Sequence, residues 1–104
     1  SLIVYELTSN FPSDEKFGLI SQLRRAAVSV VSNLAEGSAR KSAKDQAHFY
    51  QMAYSSLIEV LNQLIISNDL LFLENDKLSE GRILIENLTV KIAALRNAQL
   101  NKVS

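Results

Sequence analysis

The sequence predicts an all-α protein, an antiparallel up-down four-helix bundle, on three observations. One Pro and three Gly in 104 residues leave most of the chain in long uninterrupted elements, filled by the helix formers Leu, Ala, Glu, Lys and Gln. Apolar residues recur at three- and four-residue steps, with no strand-like alternation and no hairpin dipeptide. The breaks between these stretches are short, which favours antiparallel neighbours.

The first helix is expected from Leu2 to about Thr8, an apolar stub carrying Leu2, Ile3, Val4, Tyr5 and Leu7. It begins so abruptly that it is expected to be the end of a longer helix, truncated at its start. Asn10, Phe11, Pro12 and Ser13 then break the pattern. Pro restricts the residue before it, and Ser13-Asp14-Glu15 places a cap and acidic charge at a helix start.

The second helix is expected from about Ser13 to Arg40. Leu19, Leu23, Ala26, Ala27, Val30 and Leu34 fall on one narrow arc, the inward stripe of a bundle helix. Phe17, Ile20, Val28, Val31 and Ala35 widen that arc to roughly half the circumference, more than one neighbouring pair of helices usually covers. Ser42 followed by Asp45 resembles a capping box and opens the third helix, which is expected to reach about Phe72. Its apolar face carries Phe49, Ala53, Leu57, Val60, Leu61, Leu64 and Leu71. Glu74, Asn75 and Asp76 form the next break, with Asn75 as the expected cap. The fourth helix follows to about Leu100, with Leu78, Ile85, Leu88, Ile92 and Leu95 at helical spacing and Gly81 weakening its first turns. The whole is expected to be one domain, residues 1–104.

Composition bounds what such a bundle does. A 47% hydrophobic fraction is too apolar for disorder and reads as core plus interface. Eleven Lys and Arg balance 11 Asp and Glu, so any contact with nucleic acid needs a local basic patch. No cysteine means no disulfide framework, thiol nucleophile or zinc-thiolate site, which fits a reducing, cytoplasmic setting. No apolar run approaches the roughly 18 residues of a membrane span, and no membrane partner or signal peptide is expected.

Catalysis fits poorly. His48, Ser55 and Glu59 share a helical side, but the helix rise puts the backbones of His48 and Glu59 about 16 Å apart, too far for a triad. One His and scattered carboxylates offer no metal-ligand spacing, and Gly18, Gly37 and Gly81 are isolated rather than clustered in a phosphate loop. No enzyme activity, metal or cofactor is expected.

Polar residues on the second helix are more informative. Gln22, Arg25, Ser29, Asn33, Glu36 and Arg40 form one continuous stripe, beside which Gly18, Ser21 and Ser32 keep the surface low. The stripe reads either as a plain solvated face or as a contact surface for a partner. Arg40, Lys41 and Lys44 gather at the turn that follows, either to meet phosphates or simply to neutralise a helix C-terminus. Arg24 is set among Phe17, Ile20, Val28 and Val31. It is expected to pair with a carboxylate across a subunit interface, Glu59 being the candidate.

These residues also carry a resemblance. Phe11-Pro12 to Glu15, Phe17-Gly18-Leu19, Gln22, Arg24-Arg25-Ala26, Ser29, Asn33-Leu34-Ala35-Glu36-Gly37, Ser38 and Arg40, then Phe49, Ala53, Ser56, Glu59 and Gln63-Leu64, closely resemble four-helix-bundle proteins encoded in intervening sequences of bacterial 23S ribosomal RNA genes. The likeness is specific from about Leu7 to Leu71. That fold is similar to the accessory variability proteins of diversity-generating retroelements, whose role is not carried over to this neutral chain. The resemblance implies a homo-oligomeric pentameric ring without catalytic activity, linked to RNA or DNA, with a protein partner as the alternative. Val31 stands where relatives often have Pro, so no kink is expected there. Ser55-Ser56 replaces a common Gly-Ser, so packing is expected to be looser at that point.

Overall fold

The structure, a computed structural model, describes residues 2–8 and 17–103. The Asn10 to Ser13 break and the expected first turn of the second helix lie outside these residues. Four helices are present, α1 (Leu2–Thr8), α2 (Phe17–Ala39), α3 (Ala43–Asp69) and α4 (Asn75–Leu100), and no strand occurs among the described residues. α2 runs unbroken through Val31, as expected without a proline.

α3 is the central element. It packs extensively on α2 along one side and on α4 along the other, while the α2 and α4 backbones stay farther apart and meet only through their side chains in the shared core. Side-chain pairs follow a consistent sense: Gln22 meets Gln63 and Ser29 meets Ser56, while Arg96 meets Gln51. Numbers rise on one helix of the α2–α3 pair as they fall on the other. α1 lies against α2 and α4.

The predicted inward stripes form the core. Leu23, Ala27 and Val30 of α2 meet Ala53, Leu57, Val60 and Leu64 of α3, with Ile85 and Ile92 from α4 and Val4 from α1. Leu19, Ile20, Ala26 and Leu34 pack partly buried against that cluster. Burying one such aliphatic side chain contributes about 1.5–3 kcal/mol, which is why the apolar spacing dictates the docking. Gly81 belongs here too. It is buried, and a Cβ on it would stand 3.1 Å from Leu64 Cδ1 and 3.3 Å from Leu7 Cδ1. Its missing side chain lets α4 approach α3 and α1, a packing role that its propensity cost concealed.

Two helix boundaries differ from expectation. Ser42 does cap α3, its Oγ accepting from the Asp45 N–H at 3.1 Å. α3, however, stops at Asp69 rather than Phe72. The Phe72 N–H reaches back to the Ser67 carbonyl (2.9 Å) and the Leu71 N–H to the Asn68 carbonyl (3.0 Å), which together make a Schellman ending. Leu71 occupies the left-handed position of that motif, at φ 66°, and is 91% exposed rather than part of the apolar face. At α4 the cap position falls on Glu74, which makes no side-chain capping bond. Asn75, the expected cap, instead accepts from Asn68 Nδ2 at 2.7 Å and ties the α3–α4 turn together.

The left-handed Leu71 makes a stability prediction. Leu71→Gly removes the Cβ clash of that conformation and forfeits almost no buried area, so it is expected to stabilise the fold by about 0.5–1 kcal/mol. Thermal unfolding should register a rise of about 4 °C. An unchanged or lower midpoint would mean that the turn is not strained by its leucine.

Candidate functional site

The polar stripe of α2 does not stand alone. Gln22, Arg25, Ala26 and Ser29 combine with Ser56 and Glu59 of α3 to line a shallow groove of about 260 Å³. Its floor is low because two serines face each other, Ser29 Oγ and Ser56 Oγ lying 2.8 Å apart. Asn33 donates from Nδ2 to the Ser29 carbonyl (2.8 Å) and to Ser29 Oγ (3.1 Å), so the floor is internally bonded. The helix-to-helix hydrogen bond is made by Ser56, the serine that the common Gly-Ser also has, while Ser55, the departing residue, is exposed and accepts from Gln51 Nε2 at 3.3 Å.

The groove wall on α3 is oriented by an amide. Gln63 donates from Nε2 to Glu59 Oε1 at 2.8 Å and to Gln22 Oε1 at 3.2 Å. This places Glu59, expected at a subunit interface, on the same groove as Gln22 and Arg25. Arg25 is exposed and has no hydrogen-bonding, ionic or ring partner among the described residues.

The far end of the stripe is built differently. Glu36 and Arg40 form an ion pair one turn apart, Oε1 to NH2 3.6 Å, and the Arg40 guanidinium lies 4.5 Å above the centre of the Phe49 ring. Gln46 donates to the Arg40 carbonyl at 2.8 Å, satisfying one terminal acceptor of α2. Just before this corner, Gly37 is buried against α3. A Cβ there would stand 2.7 and 2.9 Å from ring carbons of the buried Tyr50 and 3.1 Å from Phe49 Cβ. Gly37 therefore sets how closely α2 and α3 approach where the turn begins. Within the cluster anticipated at the turn, Arg40 is engaged structurally. Lys41 and Lys44 are exposed and have no side-chain partner among the described residues.

The apolar edge of α2 is open. Phe17 is 77% exposed, Val28 51% and Val31 55%, whereas Ile20 packs partly buried on the core. Arg24 is half-buried and its guanidinium sits 4.4 Å over the Tyr5 ring of α1, a cation–π contact. Alongside lies an apolar trough of about 240 Å³ between α2 and α4, lined in part by Val31, Leu34, Leu84 and Leu88. α1 contributes Ile3, Val4 and Leu7 to its lining.

His48 is exposed and touches Phe49 edge-on at 5.6 Å between ring centres. Ser55 accepts from Gln51 Nε2 at 3.3 Å, and Glu59 faces its groove, so the three side chains that share a helical side do not converge. Tyr54 carries the Arg96 guanidinium 5.3 Å from the centre of its ring, and Arg96 donates to Gln51 Oε1 at 2.7 Å. This α3–α4 clasp has no sequence signal, because it joins residues 45 apart. No helix among the described residues is long and apolar enough to cross a membrane.

The chain matches none of the curated proteins. A family model described as 23S rRNA-intervening sequence protein matches residues 1–94, nearly the full length, and is in accord with the four helices. On that match, the chain belongs to the 23S rRNA-intervening sequence protein family.

Proposed function

We propose that this protein is a non-enzymatic, up-down helical bundle that associates with copies of itself, in a ring of five as the resemblance implies. We read its α2 stripe and the α2–α3 turn as a contact surface for nucleic acid. The observation that carries the nucleic-acid reading is the pattern of unengaged cations. Glu36 is neutralised by Arg40, while Arg25, Lys41 and Lys44 project from the same stripe and turn without partners among the described residues. A neutral chain thus acquires a locally basic edge, although Asp45 stands beside the turn at the start of α3. The family's name, which refers to 23S rRNA, is in keeping with this reading.

Self-association is supported by the apolar surface that one copy leaves uncovered, Phe17, Val28 and Val31 together with the trough beside them. A binding role rather than catalysis is supported by the separate engagements of His48, Ser55 and Glu59.

Two measurements test this. Light scattering is expected to give a mass several times the 11.6 kDa of one chain. Binding of single-stranded RNA is expected to weaken steeply between 50 and 200 mM salt. Lys41→Ala combined with Lys44→Ala should lower affinity about tenfold near 50 mM salt and flatten the salt dependence. Absence of RNA and DNA binding even at low salt would move the reading to a protein-interaction adaptor that docks a partner on the same polar face.

A further inference from the structure

We propose that the groove between α2 and α3 reads an unpaired base, with Glu59 accepting hydrogen bonds from the base edge while Arg25 holds a neighbouring phosphate. This inference rests on the nucleic-acid reading above and adds to it a specificity.

Charge complementarity is the starting point. The groove puts one cation and one carboxylate within a single shallow depression, lined otherwise by an amide, two hydroxyls and an alanine. A surface meant only to follow a phosphate backbone has no use for a carboxylate, which repels it. A ligand that fits both groups must bring an anion to Arg25 and N–H donors to Glu59. A nucleotide does this, because its phosphate and the donor edge of its base are separate parts of one residue.

The hydrogen bonds already made inside the groove narrow the chemistry. A carboxylate only accepts. Gln63 takes one acceptor site on Oε1 of Glu59 and also reaches Gln22, so both carboxylate oxygens keep acceptor capacity for a ligand. Ser29, Ser56 and Asn33 satisfy one another and form a floor that needs nothing from outside. Arg25 has its planar fork of donors uncommitted within the described chain, the geometry suited to a phosphate. No aromatic side chain lines the groove, so it offers no aromatic stacking platform, and with Arg25 assigned to the phosphate the base is recognised at its edge. The edge that best matches a carboxylate carries two adjacent donors, as the N1–H and N2–H of guanine do.

The test is fluorescence anisotropy at low salt with labelled ten-nucleotide RNAs. One strand is all uridine, and three others carry a single central guanosine, inosine or adenosine. Inosine keeps N1–H and lacks the N2 amine. The wild-type protein is expected to bind the guanosine strand about tenfold more tightly than the inosine and adenosine strands. Glu59→Gln, at an exposed position, should erase the advantage of guanosine over inosine, while the loss of its negative charge raises the affinity of all strands by a similar small factor. Arg25→Ala should weaken every strand alike and reduce the salt slope by about 0.7.

Equal affinity for the four strands, or a Glu59→Gln variant that keeps the advantage of guanosine over inosine, overturns the base-reading inference while nucleic-acid contact stands. If no strand binds, both readings fall, and Arg25 and Glu59 belong to the docking face for a protein.

Discussion

Leu64→Ala is expected to destabilise the protein by about 3–5 kcal/mol and to lower its thermal midpoint by more than about 10 °C. Leu64 is fully buried and stands where three helices converge, packed in the cluster with Leu23 of α2 and against the Gly81 site of α4, where Leu7 of α1 also arrives. Its truncation opens a cavity that rigid helix backbones close only in part. The same geometry predicts a coupling. Gly81→Ala alone gains about 1 kcal/mol in helix propensity and meets two leucine methyls at 3.1 and 3.3 Å, so its net effect is expected to be small. In the Leu64→Ala background the nearer methyl is gone, and the added Cβ enters space it would otherwise contest. The double variant should recover about 1 kcal/mol relative to the sum of the single changes, read from urea unfolding midpoints. Strict additivity would show that the two positions do not share that space.

Gly37→Ala is the second large effect, and its sign runs against helix propensity. Alanine is a better helix residue than glycine by about 1 kcal/mol, and Gly18→Ala, with open space around its Cβ, should show that gain. At Gly37 the new Cβ would lie under 3.0 Å from two carbons of the buried Tyr50 ring. An aromatic ring held in a core cannot swing aside as the end of a leucine does, so α2 must move away from α3. The net expectation is a loss of about 1–3 kcal/mol. Gly37 lies one turn before Arg40, so the displacement also disturbs the guanidinium seated on Phe49 and the presentation of Lys41 and Lys44. RNA affinity should therefore fall in Gly37→Ala under conditions where the variant remains folded. Equal stabilisation by Gly18→Ala and Gly37→Ala would refute the close approach at Tyr50.

Much of this molecule was legible in advance. The inward residues of α2, from Leu23 through Val30, and the Ala53, Leu57, Val60 and Leu64 ladder of α3 follow from helical spacing, and Ser42 caps α3 as its position before Asp45 suggested. The two glycine approaches were not legible. Gly37 and Gly81 looked like isolated glycines, since nothing in a sequence says that Tyr50 or Leu64 will press on them. The end of α3 was misjudged because Leu71 fits the apolar period, and a non-glycine left-handed residue leaves no compositional mark.

The candidate surface divides in the same way. The stripe from Gln22 to Arg40 is a property of one helix and could be listed from spacing. That its lower half becomes a groove depended on Ser56, Glu59 and Gln63 arriving from α3, residues 27 to 41 positions away from their α2 partners. The stripe's upper half is committed to Glu36–Arg40 and to Phe49, while Arg25 on the stripe and Lys41 and Lys44 at the turn have no partner among the described residues.

By itself, then, the sequence determined that there are four helices, that α3 is capped at Ser42 and which faces turn inward, because the 3.6-residue period is imposed by the backbone alone. Only the tertiary structure decided that α3 is central, that Arg24 lies over Tyr5, that Glu59 joins Arg25 in a groove and that Phe17, Val28 and Val31 stay uncovered. Burial and pairing are relations between surfaces brought together from distant parts of the chain, and no periodicity within one helix encodes its neighbour's side chains.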